Sequence, residues 1–192
     1  MKLQRTTLVF AASALILGGG VYFYESQVAS KQRATQQAQK QIFGFVEEEQ
    51  IQSLTIEKGK KTLKFERMKD KKKSWRMMQP KKVSASGGTV VFLLDLLATG
   101  KSDRAFTISP SQRQNYGLDN PLARIKFQLN NQETHELILG KPNFNNQLIY
   151  ALKDPSSQPN QKLEVLLVPN DFQDAVERKL SEWKQEKDTS QE

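Results

Sequence analysis

The sequence predicts an α+β protein: an antiparallel β-sheet domain with one principal packing helix and short helices, preceded by one N-terminal transmembrane helix. Three observations lead there. Residues Leu8 to Tyr24, LVFAASALILGGGVYFY, carry no charged side chain over 17 positions. From Ile51 onward apolar residues recur with period two, the signature of strands that are apolar on one face and solvated on the other. A single stretch, SASGGTVVFLLDLLATG, replaces that alternation with a run of long aliphatic side chains ending in glycine.

The apolar run comes first. As a helix, 17 residues reach roughly 25 Å, the short end of a bilayer span. Tyr22, Phe23 and Tyr24 stand where interfacial aromatics lie, and Lys2 and Arg5 precede the run. No small-x-small cleavage site follows it and the chain has no cysteine for lipidation, so residues 1–25 read as an uncleaved anchor in membrane lipid. Lys31, Arg33 and Lys40 lie beyond it, but Lys2 and Arg5 sit closer and Glu25 opens the far flank. The expected orientation is therefore N-terminus cytoplasmic and domain extracytoplasmic. Gly18 to Gly20 lack the GxxxG spacing of a helix-packing face. Residues 26–42, rich in Gln, Ala and Lys, read as a polar stalk.

The globular domain is expected over 43–184. Leu54 and Ile56, Leu63 and Phe65, and Trp75 and Met77 alternate with polar neighbours, and so do Ala123, Ile125, Phe127 and Leu129. Turn signals at Lys58-Gly59-Lys60, Asp70–Lys73 and Asn130-Asn131 separate the runs. A hairpin pairing 123–129 with 133–139 follows, then strands at 148–152 and 163–168 around the loop KDPSSQPNQ. The principal helix starts at Ser86 or Thr89 and ends at Gly100, with Val90, Leu93, Leu94 and Leu97 on the stripe facing the sheet. Val91 and Phe92 lie off that stripe, where the IFGFV stretch at 42–46 or the second sheet region would cover them or a partner would dock. In ISPSQRQNYGLDNP, Ser109, Pro110 and Gln112 form a capping box, Gly117 takes a left-handed stop and Leu118 its apolar contact, so this stretch is a joint between elements. A final helix runs through PNDFQDAVERKLSEW, and 185–192 is expected to be a disordered tail.

The order of these parts carries a resemblance. A Trp on the third strand before a Pro (SWRMMQP), the helix VVFLLDLLAT, then YGLDNP, then LILGKP and a strand bearing Tyr150 resembles the domain-of-unknown-function 4340 family over about residues 43–184. FLLDLLATGKSDR and LSEWK look most like its cyanobacterial, single-anchor members. Trp75, Pro80, Tyr116, Gly117, Leu118, Pro121 and Gly140 stand on the motif positions. Ser84 to Gly88 depart from the polar or proline-rich segment that other members place before the helix. The resemblance brings the fold and no catalytic residue. The likeness to cyanobacterial members implies a thylakoid or plasma membrane setting and a larger membrane complex as partner; relatives of the domain also occur in larger membrane proteins beside gliding-motility-type ABC exporters.

Composition narrows the chemistry. Without cysteine there is no disulfide, no thiolate metal site and no thiol nucleophile. His135 is the single histidine, so any Ser-His-Asp arrangement must use it, and its phase with Leu137 and Leu139 makes it a half-buried, hydrogen-bonded strand residue. Glu47, Glu48 and Glu49 are adjacent in sequence and do not converge on one ion. No P-loop, GxGxxG, GxSxG or HExxH occurs, and no cofactor or metal is expected. Between Lys58 and Lys82, ten lysines and two arginines oppose Glu66 and Asp70, so the whole basic excess of the chain lies there. Lysines that alternate with core residues are a solvated face. Lys71, Lys72, Lys73, Arg76, Lys81 and Lys82 are the residues expected to meet something acidic, with Val91 and Phe92 the apolar interaction candidates. Nucleic acid is not expected, because no stacking motif accompanies the charge. The expected function is a membrane-anchored, non-enzymatic interaction or assembly module. The alternatives are a module binding anionic lipid or an acidic partner through Lys71–Lys82, and a hydrolase built on His135.

Overall fold

The computed structural model describes residues 41–68, 74–156, 158 and 161–185. The expected anchor, all of the stalk but its last two residues, Lys71–Lys73 and residues 186–192 lie outside these. Among the described residues no helix is long and apolar enough to cross a membrane.

The described strands are β1 (Ile51–Lys58), β2 (Lys61–Arg67), β3 (Trp75–Gln79), β4 (Val83–Ser84), β5 (Arg104–Ile108), β6 (Ala123–Leu129), β7 (Thr134–Pro142), β8 (Leu148–Lys153) and β9 (Leu163–Pro169). They form one antiparallel sheet in the order β4-β3-β2-β1-β6-β7-β8-β9-β5. Two meanders therefore meet at a central β1–β6 seam. The chain leaves the first meander at β4, runs through α1 (Gly87–Thr99) to β5 at the far edge, and returns by the 3-10 helix Pro110–Tyr116 to enter β6 in mid-sheet.

The antiparallel α+β expectation stands. Its hairpin is in register from Ala123↔Leu139 to Gln128↔Thr134. Two short edge strands, β4 and β5, were not foreseen: β4 has two residues, and RAFTI in β5 offers the core only Ile108 and half-buried Phe106.

One face of the sheet carries the rows Met77–Phe65–Leu54–Phe127 and Ile56–Ile125–Leu137. Against it pack α1, through buried Val90, Leu93, Leu94 and Leu97, and Ile42, Phe43 and Val46 from the segment before β1. Removing side chains of this size from water contributes roughly 1.5–3 kcal/mol each, which explains why α1 holds although it is apolar on more than one side. Phe92 is half-buried beneath the Arg178 guanidinium, 5.1 Å from its ring centre, whereas Val91 stays exposed. Ser86 is the N-cap residue of α1. Gly100 ends the helix as expected, but with φ −56° and not in the left-handed region, its N–H bonded to the Leu96 carbonyl at 3.0 Å.

The opposite face is divided. Across β2, β1 and β6 it is charged, with Lys126 near Glu57 (3.2 Å), Arg124 near Glu136 (3.4 Å) and Lys64 near Glu66 (3.0 Å). Across β7, β8, β9 and β5 it is apolar, and Ile108, Leu118, Ile138, Leu152, Leu163 and Val165 form a second core. The uniform alternation expected of every strand fails here because Leu137, Ile138 and Leu139 run consecutively and are all buried. A strand covered on both faces has no solvated side to keep polar.

The last helix is shorter than expected. α2 spans Asp171–Glu177, and Arg178 leaves helical geometry with ψ 143°. Continuing the helix would carry Trp183 away from the pocket it fills. Trp183 is fully buried, its ring 5.0 Å from that of Phe65, and Ala85 forms a bridge with Lys184. Gln185, expected in the tail, donates its N–H to the Ser84 carbonyl at 3.0 Å.

Candidate functional site

The 3-10 helix Pro110–Tyr116 opens as read from sequence. Gln112 Oε1 accepts the Ser109 N–H at 2.9 Å, Gly117 follows with φ +69°, and Leu118 is buried. The Arg113 guanidinium pins the turn by donating to the Leu118 carbonyl at 3.2 Å and lying 3.3 Å from Asp119. The partner of this joint was not legible. It is Gly140 on β7, where a Cβ would fall on the Tyr116 carbonyl oxygen and lie 3.1 Å from Leu118 Cδ2 and 3.2 Å from the Tyr150 carbonyl oxygen. Tyr116 and Tyr150 meet edge to face with centroids 4.9 Å apart. YGLDNP and LILGKP thus interlock, closing the second core. Gly117→Ala is expected to lower stability by about 2–3 kcal/mol, since the left-handed conformation costs roughly 1–2 kcal/mol and the new Cβ would stand 2.8 Å from the Lys141 nitrogen. Thermal unfolding checks it.

His135 continues the buried row, directly across from Phe127. Its side chain is 15% exposed. Nδ1 lies 2.9 Å from Asp154 Oδ2, while Asp154 Oδ1 accepts the Glu136 N–H at 2.7 Å. Asp154 reaches both from the turn after β8 with φ +40°, a conformation Asp tolerates better than most residues. The imidazole is tilted against Phe45, Phe127 and Phe43 at centroid distances of 4.9, 5.4 and 5.9 Å, and Lys153 Nζ lies 5.2 and 5.3 Å from the Phe43 and Phe45 ring centres. Nε2 is buried without a hydrogen-bond partner among the described residues. A general base needs one ring nitrogen within reach of the proton it takes. Here Asp154 holds one nitrogen and the other is shut away from solvent. An open depression is lined by His135 together with Lys126, Thr134, Glu136, Asp154 and Pro155. Among the described residues no group of three His, Asp or Glu side chains is placed to hold a metal ion.

Among the described residues, the basic candidates Arg76, Lys81 and Lys82 lie at different ends of β3. Arg76 lies on β3, next to the edge strand β4, opposite Glu66 and Ser84 on the charged face. Lys81 and Lys82 are exposed in the β3–β4 turn. The chain leaves β2 at Arg67 and re-enters β3 at Trp75, at the other end of a five-residue strand that spans about 16 Å. Lys71, Lys72 and Lys73 fall between, outside the described residues. Arg67 has a structural place: it donates to the Ile51 and Glu48 carbonyls at 2.8 and 2.7 Å and covers the Trp75 ring at 4.8 Å. Burial pulls its guanidinium below the usual value, with Glu48 and Glu49 opposing that shift. Glu47 to Glu49 lead into and form a 3-10 turn, Glu48–Gln50, where they serve the start of β1.

Of the motif residues, Trp75 is buried in the first core and Pro80 follows β3 at the surface. Searches of curated proteins and of solved structures returned no match to the chain. The family model described as "Domain of unknown function (DUF4340)" matches residues 75–191, from β3 onward and more than half of the 192-residue chain. The interlocked motif and this match agree, and the chain belongs to the DUF4340 family of domains of unknown function.

Proposed function

We propose that the protein is a membrane-anchored, non-enzymatic interaction or assembly module at the extracytoplasmic membrane surface, accessory to a larger membrane complex. One observation carries this reading: the motif residues Tyr116, Gly117, Leu118, Gly140 and Tyr150 pack into one another, so what the family motif specifies is a scaffold. A scaffold acts through the surface it presents. The membrane half rests on the uncharged run Leu8–Tyr24 and the polar stalk behind it. The likeness to cyanobacterial members extends the proposal to a thylakoid lumen or periplasm. Binding of anionic lipid or an acidic partner through Arg76, Lys81, Lys82 and the Lys71–Lys73 run is the second reading, favoured by the exposure of the three described members.

The test is crosslinking in native membranes followed by identification of co-purifying chains, with wild type and His135→Ala side by side. Both proteins are expected in the carbonate-resistant membrane fraction with the same partners. Loss of the Asp154 hydrogen bond lowers stability by about 1–2 kcal/mol, read by thermal unfolding. A soluble chain with a trimmed N-terminus would refute the anchor. A His135→Ala protein that keeps its fold and its neighbours but loses the cellular phenotype would return the hydrolase alternative.

A further inference from the structure

We propose that the sheet end bearing the β1–β2 and β3–β4 turns docks on an anionic membrane surface, with Phe144 entering the headgroup layer; what brings the domain to a membrane rests on the anchored reading above. The antiparallel order gathers the ends of β1, β3, β7 and β9 and the starts of β2, β4, β5, β6 and β8 at this end. Exposed Lys60, Lys61, Lys81, Lys82, Lys101 and Lys141 stand in or beside its turns. Against them are Asp103, Asp119, Asp171, Asp174 and Glu177, of which Asp119 lies 3.3 Å from Arg113 and Glu177 lies 3.6 Å from Lys58 at the end of β1.

Three further observations select a membrane. Gln41, near the end of the stalk, forms a bridge with Lys101, so the described chain begins at this same end. A tether attached there keeps the lysine turns at high effective concentration near a leaflet. Phe144 is 95% exposed in the β7–β8 turn, three strand spacings (about 14 Å) from the β1–β2 turn. The turn is built to hold it out: Asn143 Oδ1 accepts the Leu148 N–H at 3.2 Å, and the Asn146 N–H reaches the Asn143 carbonyl at 3.1 Å. An aromatic ring among lysines matches the chemistry of an anionic interface, where rings settle at headgroup depth and each lysine strengthens partitioning about five-fold.

Because the chain has no cysteine, Asn145→Cys gives a unique attachment point for an environment-sensitive fluorophore beside Phe144, and Glu133→Cys gives the control at the opposite end. The full-length chain is reconstituted in phosphatidylcholine vesicles with or without phosphatidylglycerol. The expected result is a blue shift at position 145 that requires phosphatidylglycerol, is absent at 133 and disappears in high salt. Replacing Lys60, Lys61, Lys81 and Lys82 by Gln lowers the docking equilibrium constant about five-fold per lysine, and Phe144→Ala removes the shift while leaving residual salt-sensitive association. No shift at 145, an equal shift at 133, or a shift abolished by Gln at Lys71, Lys72 and Lys73 but not by the four substitutions would overturn the proposal. Flotation with pure phosphatidylcholine vesicles reads the anchor by itself. A chain that floats but keeps a dry tip retains the anchor and loses the docking. A chain that shifts at 145 without floating retains the docking and loses the anchor.

Discussion

Gly140→Ala is expected to destabilise the domain by about 3 kcal/mol or more, at the upper end of what overpacking a buried position costs. The added Cβ has nowhere to go. It would fall on the Tyr116 carbonyl oxygen, with the Tyr150 carbonyl oxygen at 3.2 Å and Leu118 Cδ2 at 3.1 Å. Two of these three neighbours are backbone, so a rotamer change does not relieve the clash and the joint must lift from β7. Lifting it uncovers the second core, because Leu118 and Tyr116 are part of that core. A fall in melting temperature of about 10 °C is expected for a domain of this size. Gly88→Ala is the control: a Cβ there meets nothing within 4 Å, and the position is helical. That change is expected to stabilise by about 0.5–1 kcal/mol. Equal effects at the two glycines would show that the Tyr116–Gly140 approach is looser than described.

Trp183→Ala is expected to lower stability by about 3–5 kcal/mol, the range for emptying an aromatic core position. Trp183 is completely buried and packs on Phe65, and the loss is not confined to its ring. Its carbonyl accepts the Ser86 N–H at 3.0 Å, and the neighbouring Glu182 carbonyl accepts the Thr89 hydroxyl at 2.7 Å. The C-terminal segment therefore closes the first turn of α1, which has no side-chain cap of its own. The measurement is a denaturant titration together with amide exchange. A lower midpoint with faster exchange in the first turn of α1 is expected, and Trp183→Phe should recover much of both. A lowered midpoint with unchanged exchange there would separate the ring from the closure of the helix.

How much of this was legible follows from which interactions are local. The β6–β7 hairpin, the α1 stripe and the Ser109–Leu118 joint are specified by residues within a few positions of one another, and the sequence shows them. Gly140 also sits visibly in its motif. Its reason, the approach of Tyr116 from 24 positions away, exists only once β7 and the joint are packed. α2 is shorter than its sequence implies because helix propensity continues beyond Glu177, while the burial of Trp183 that overrides it is a long-range effect. The half-buried strand position of His135 follows from its phase with Leu137 and Leu139. Its partner Asp154 follows a separate strand, so only the pairing of β7 with β8 reveals it. Of the basic residues, spacing along the chain hid the fact that β3 separates Lys81 and Lys82 from Arg76, which stays beside the Arg67–Trp75 end.

The β1–β6 seam bears on how the chain matures. β1 ends at Lys58, and the strand that covers its other edge starts only at Ala123. A polypeptide delivered from its N-terminus holds the first hairpin with one edge bare until about 65 further residues have emerged. Pairings this distant in sequence form slowly, and an uncovered hydrogen-bonding edge invites other chains. Newly made molecules should therefore be most vulnerable to aggregation and proteolysis before residue 129 is available.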